Sequence, residues 1–121
     1  MTKQEFQKLT ENHVLLLDGA TGSNLMKAGM PRGVCTESWV LEHKDVIQSL
    51  QKAYIEAGSH IIYAPTFGGN RINLTMHGLE DQIEQINHTL AGYTKEITPE
   101  AFMLREISPQ PGKMMAPGRV I

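Results

Sequence analysis

Val14-Leu15-Leu16-Leu17 is an unbroken apolar run, closed at once by Asp18 and Gly19. A short apolar run without alternation reads as a strand buried on both faces, the pattern of a parallel sheet. His60-Ile61-Ile62-Tyr63-Ala64-Pro65 reads the same way and is stopped by its proline. Parallel neighbours need a crossover of a dozen or more residues, usually a helix. The intervening chain supplies one. Asp45 is a good N-cap with Gln48 three residues later, and Val46, Ile47, Leu50, Tyr54 and Ala57 share one helical face. Gly58 stands where a closing glycine belongs.

The rest of the chain extends the pattern. Residues 3–11 read as a short polar helix. Residues 19–44 hold glycines and a proline with few periodic apolar positions, a long loop with one helical turn at Ser23–Lys27. Residues 69–77 form a short helix. Leu79, Ile83, Ile86, Leu90, Tyr93 and Ile97 recur at spacings of four and three, an amphipathic helix ending near Thr98-Pro99. That stripe reads as a core face. Residues 101–107, "AFMLREI", are a third strand, and "SPQPGKMMAPGRVI" is a loop-like tail. The order β-α-β-α-β is that of an α/β fold with right-handed crossovers. It does not separate a doubly wound sheet from part of a barrel.

Composition narrows the function classes. A chain of 121 residues is enough for one domain with a modest core. A net charge of -2 signals no basic surface, so nucleic acid is not an expected partner. The start, "MTKQEFQKLTENH", lacks an apolar signal-peptide region, and no run reaches the ~20 residues that span a bilayer. The expectation is a cytoplasmic protein with no membrane partner. Cys35 is the single cysteine, which suits a reducing compartment and provides no thiolate-rich zinc set within one chain.

The turn Asp18-Gly19-Ala20-Thr21-Gly22 admits two readings. In the first it cradles a dinucleotide phosphate. The strict G-x-G-x-x-G is absent, Leu25 stands at the third small position, Asp18 brings a negative charge, and a loop follows where a helix should begin. No P-loop pattern occurs. In the second reading, Asp18 lies at the C-terminal end of the first strand, the end that carries sites in parallel α/β folds. Its carboxylate there accepts hydrogen bonds from a substrate ammonium, and the glycines let backbone N–H groups approach a ligand carboxylate. Thr66 and Phe67 follow the second strand on the same rim, and Ser108 follows the third.

"LLDGATGSNL", "ESWVLEHKDVIQSLQKAYIEAGSHIIYAPTFGGNRINL" and "EDQIEQINHTLAGYTKEI" together resemble the homocysteine S-methyltransferase family, in its methyltetrahydrofolate-dependent branch. The best-matching stretch is 12–97, with 98–121 resembling the third strand and its loop. The resemblance implies a (β/α)8 TIM barrel, of which residues 1–121 are the first three βα units with parallel strands, the N-terminal part of a homocysteine-binding domain. It implies homocysteine as substrate, its sulfur held by zinc as a thiolate, and methionine as product. By motif match, Asp18 contacts the ammonium, while Gly19, Ala20, Thr66 and Phe67 line the amino-acid end of the pocket. The family's zinc-binding cysteine motifs are absent from this sequence, and Cys35 lies elsewhere in the pattern. Methyltetrahydrofolate or cobalamin would act through other modules or chains.

Plainer readings stand beside these. Gly19, Gly22, Gly68 and Gly69 supply positive φ; Cys35 is a small semi-buried side chain; Trp39 is a packing residue at the barrel rim. His13, His43, His60, His77 and His88 show no metal spacing. Three units of a barrel leave strand edges open, which invites self-association. The alternatives to a methyltransferase segment are therefore a catalytically inactive, assembly-prone fragment and a small nucleotide-binding module.

Overall fold

In the computed structural model, the structure describes residues 2–98. Helix α1, Lys3–Asn12, is opened by a capping box: the Thr2 side chain accepts from the Glu5 backbone, and the Glu5 side chain accepts from the Thr2 backbone. It buries no residue. An extended stretch then leads to α2, Gly22–Lys27. Helix α3, Thr36–Glu42, and helix α4, Lys44–Glu56, are separated only by His43, which ends one and opens the other. Helix α5, Arg71–Met76, is capped by the Asn70 side chain, which accepts from Asn73 N. A 3-10 turn, Glu80–Gln82, leads into α6, Ile83–Ile97.

Helices α3, α4 and α6 pack pairwise, and α2 closes on α4. Leu25, Val40, Ile47, Leu74, Ile86 and Leu90 are almost fully buried at their junction, with Met30 and Cys35 beside them. The first six lie on helices, while Met30 and Cys35 come from the connection between α2 and α3; burying an aliphatic side chain of this kind is worth about 1.5–3 kcal/mol. Trp39, Leu50, Ile83 and Tyr93 pack around this cluster. Two polar latches tie α4 to its neighbours. Buried Gln51 donates through Nε2 to Tyr63 O at 3.1 Å and to Thr94 Oγ1 at 2.9 Å. Gln48 donates to Tyr93 O at 2.9 Å.

The helix readings at 3–11, 45–57, 69–77 and 79–97 match these elements to within a few residues, with two differences. Asp45 lies in the first turn of α4 and His43 is the N-cap, with no side-chain capping bond. Helix α3 occupies part of the segment expected to be loop. Its first residues follow a Gly/Pro-rich stretch and carry too few apolar positions to announce a period.

The strand readings are corrected. Among the described residues there is no β-strand and no sheet, so the parallel-stranded partial TIM barrel is not the architecture here. What remains of the pairing is one isolated parallel bridge, Leu17 with Ile61. Asp18 N donates to Ile61 O at 2.9 Å and Ile61 N donates to Leu16 O at 3.1 Å. The physical reason lies in coverage. A parallel strand is stable when both faces are covered, yet Val14, Leu16 and Leu17 are 81%, 51% and 47% exposed. Ile61 and Ile62 are buried. One segment is thus covered and its neighbour is not, and the ladder stops at one bridge. Helix α6 ends at Ile97 with Thr98 as its C-cap, where the sequence reading ended it; the third-strand reading, 101–107, the loop-like tail and Ser108 lie outside the described residues. Trp39 has no barrel rim to cap; it stacks on His43 with ring centroids 3.7 Å apart.

Candidate functional site

The segments Leu16–Asp18 and His60–Tyr63 run side by side in the same direction, so their C-terminal ends emerge together. Asp18 turns back across the pair, and its Oδ2 accepts from Tyr63 N at 3.3 Å. It is half-buried, and that burial raises its carboxyl above the ordinary aspartate value, against the lowering effect of the Tyr63 amide.

The turn after Asp18 rests on α4. Tyr54 Oη donates to Ala20 O at 2.8 Å, and Asn24 Nδ2 donates to the same carbonyl at 2.8 Å. A Cβ on Gly19 would stand 3.1 Å from Tyr54 Oη. A side chain at Gly19 would therefore press on the Tyr54 ring, which would have to give by a few tenths of an ångström. Positive φ is found at Gly29, Gly33, Gly58 and Gly78, so the left-handed reading of Gly19, Gly22, Gly68 and Gly69 is corrected. The helical turn read at Ser23–Lys27 is present as α2, which begins one residue earlier, at Gly22, directly at the turn; it is only six residues long.

The second turn, Thr66–Asn70, is held at almost every peptide. Thr66 is buried, its N donates to Ala64 O at 2.8 Å, and its O accepts from Gly69 N at 3.0 Å. Gly68 N donates to Glu37 Oε1 at 2.7 Å, and Gly68 O accepts from Asn73 Nδ2 at 2.8 Å. Gly69 O accepts from Asn87 Nδ2 at 2.7 Å. A side chain at either glycine would displace the group that holds it: a Cβ on Gly68 would lie 2.6 Å from Glu37 Oε1, and one on Gly69 would overlap the Asn87 amide.

Between the two turns and the start of α3 lies an open cleft of about 500 Å³. It is lined by Thr21 and Gly22 from the first turn, by Cys35, Thr36 and Glu37 from the start of α3, and by Phe67, Gly68 and Asn73 from the second turn and α5. Val34, Ala64 and Pro65 add apolar lining, with His77 as a further polar one. An apolar wall beside a few convergent polar groups is the character of a small-molecule site.

Of the five residues singled out from sequence, Phe67 lines this cleft and is 65% exposed. Asp18, Gly19, Ala20 and Thr66 build the turns on either side of it. Glu37 was not singled out, although it is only 4% exposed and lines the cleft. A single glutamate in the first turn of a short helix, flanked by Thr36 and Ser38, carries no motif and gave no signal in the sequence.

Cys35 is buried, and its thiol donates to Glu37 Oε2 at 3.6 Å. Burial first, and the adjacent Glu37 charge after it, push this thiol above its usual value. Among the described residues no three His, Cys, Asp or Glu side chains are grouped so as to hold a metal ion. The described residues do not fit a zinc site, and Cys35 is a neutral thiol there. No helix among them is long and apolar enough to cross a membrane.

Comparison with known proteins agrees with the motif resemblance. The model of the family described as homocysteine S-methyltransferase matches residues 15–119. The methionine synthase of Mycobacterium tuberculosis (strain ATCC 25618 / H37Rv) is 28% identical over 93 residues, covering 72% of this chain and 8% of that protein. The methionine synthase of Mycobacterium leprae (strain TN) is 31% identical over 80 residues, 61% of this chain and 7% of that protein. The chain thus spans less than a tenth of the length of these curated relatives. With most of its length matched by the family model, the chain belongs to the homocysteine S-methyltransferase family.

Proposed function

We propose that this chain is the N-terminal segment of a methionine-synthase-type homocysteine S-methyltransferase, and that its cleft receives the amino-acid end of homocysteine. The observation that carries the reading is the meeting of the two family-matched turns, 18–22 and 66–70, around one cleft. Asp18 carries the negative charge that a substrate ammonium needs. Backbone at Gly19, Ala20 and Thr66 shapes the approach to a carboxylate, and the Phe67 ring covers the apolar stem. The thiol is methylated to a thioether, giving methionine. Sulfur activation and methyl donation, by zinc and by methyltetrahydrofolate or cobalamin in the family, belong to other modules or chains of the complete enzyme, in the cytoplasm.

The test is calorimetric titration of the chain with L-homocysteine, with norleucine and NAD as controls. Saturable homocysteine binding that weakens in Asp18→Ala supports the reading. Saturable NAD binding without homocysteine binding favours the nucleotide module and removes the methyl-acceptor assignment.

A second reading rests on a different observation. Val14, Leu16 and Leu17 form an exposed apolar segment, and such a surface favours association over catalysis by the isolated chain. Light scattering distinguishes the two: a monomer that binds homocysteine supports the first, and an oligomer that binds none supports the inactive, assembly-prone fragment.

A further inference from the structure

We infer that Glu37 is a positioning residue that clamps the Thr66–Asn70 turn and so fixes the wall against which an amino-acid ligand rests. The inference deepens the homocysteine reading and rests on it for the identity of the ligand.

Glu37 belongs to α3, thirty-one positions before the turn it holds. Its Oε1 accepts the Gly68 N–H at 2.7 Å. Its Oε2 accepts from the Cys35 thiol at 3.6 Å and is approached by Asn73 Nδ2 at 3.5 Å. Asn73 in turn donates to Gly68 O at 2.8 Å. The Gly68 residue is therefore held at both its N–H and its C=O by two side chains that also approach each other.

A hydrogen bond to an ionised group is about twice as strong as a neutral one, and a buried carboxylate stays only where donors surround it. That makes the clamp stiff. It also explains why position 68 is glycine, since a Cβ there would overlap both Glu37 oxygens and Asn73 Nδ2. Phe67 precedes the clamped residue and lines the cleft. The clamped N–H belongs to the peptide that follows Phe67, so Glu37 fixes the backbone from which that side chain projects. With both oxygens engaged by the protein, the carboxylate is spent on the turn, and a ligand meets the turn rather than the charge.

This distinguishes Glu37→Gln from Glu37→Ala. A glutamine retains an acceptor for the Gly68 N–H; an alanine retains none. The test measures Gly68 amide exchange by NMR and homocysteine affinity by calorimetry in the wild-type chain and both variants, with circular dichroism reporting helix content. The clamp predicts that Glu37→Ala loses about tenfold or more of the Gly68 protection and a similar factor of affinity, and that Glu37→Gln recovers both to within about threefold.

Unchanged Gly68 protection in a folded Glu37→Ala overturns the clamp. Should Glu37→Ala not fold, Glu37→Gln decides alone. Affinity lost in Glu37→Gln while Gly68 remains protected overturns the positioning role, because the charge itself would then hold the ligand. If the wild-type chain binds no homocysteine, the ligand reading fails, while the exchange measurement still decides the clamp.

Discussion

Asp18 and Tyr63, forty-five positions apart, meet where the Asp18 Oδ2 accepts the Tyr63 backbone N–H at 3.3 Å. The bond sits beside the Leu17–Ile61 bridge and extends the pairing of the two segments by one side chain. It lies at the root of the first cleft-bordering turn, so Asp18 has both a folding role and a proposed binding role.

The folding role has a pH signature. Burial raises the Asp18 carboxyl above its unfolded value of 3.8. Below that value the acid is protonated in both states and costs nothing. As pH rises through 3.8 towards the raised folded value, the unfolded chain ionises first, and folded stability falls. Above both values the penalty is complete. Asp18→Asn keeps an acceptor for Tyr63 N and removes the ionisation. Thermal melting should therefore show Asp18→Asn at least as stable as wild type at pH 7, with the difference closing towards pH 3. A variant that is less stable at pH 7 and equal at pH 3 would reverse the sign of the argument.

The glycine turns make a paired prediction. Gly68→Ala places a Cβ against Glu37 Oε1 and Asn73 Nδ2, and should cost about 1–3 kcal/mol as an overpacked site. Gly92 lies within α6, where a Cβ meets nothing within 4 Å. Gly92→Ala should stabilise by about 0.5–1 kcal/mol through helix propensity. Urea denaturation of the two variants should give opposite shifts in midpoint; an unshifted Gly68→Ala would mean that the Glu37 and Asn73 side chains move aside at little cost.

Gln51 tests how the second segment is anchored to the helices. Its Nε2 serves both Tyr63 O and Thr94 Oγ1 from a position only 3% exposed. Gln51→Leu keeps the volume and leaves those two groups without that donor, a loss of about 1–3 kcal/mol. Chemical denaturation measures it. A neutral result would mean that water replaces the amide on opening of the α4–α6 contact.

How much of this was legible depends on the period of each element. Helices α4 and α6 announce themselves because Ile47, Ile86 and Leu90 fall on stripes that the fold buries. The apolar runs at 14–17 and 60–65 carry no period, only composition. They fixed which segments lie side by side, at Leu17 and Ile61, and overstated how far the pairing extends. Whether an apolar run is a covered strand depends on what lies across its faces, which four letters do not encode. The site was legible in the same partial way. The D-G-A-T-G and T-F-G-G turns were readable as local chemistry. Glu37 and Tyr54 were not, because each acts on a turn more than thirty positions away.

Cys35 provides the last prediction. Its side chain is buried beside Glu37, to which the thiol donates, and both burial and that charge push the thiol up. Thiolate is the reacting species, so the native chain should react with a disulfide reagent at pH 8 at least about tenfold more slowly than the urea-unfolded chain. Glu37→Gln removes the negative neighbour and should quicken the native reaction, while leaving it below the unfolded rate. A native thiol as fast as the unfolded one would mean that the start of α3 opens freely, and the cleft lining contributed by Cys35, Thr36 and Glu37 would not be a fixed surface. Slow reaction that is indifferent to Glu37→Gln would assign the protection to burial alone.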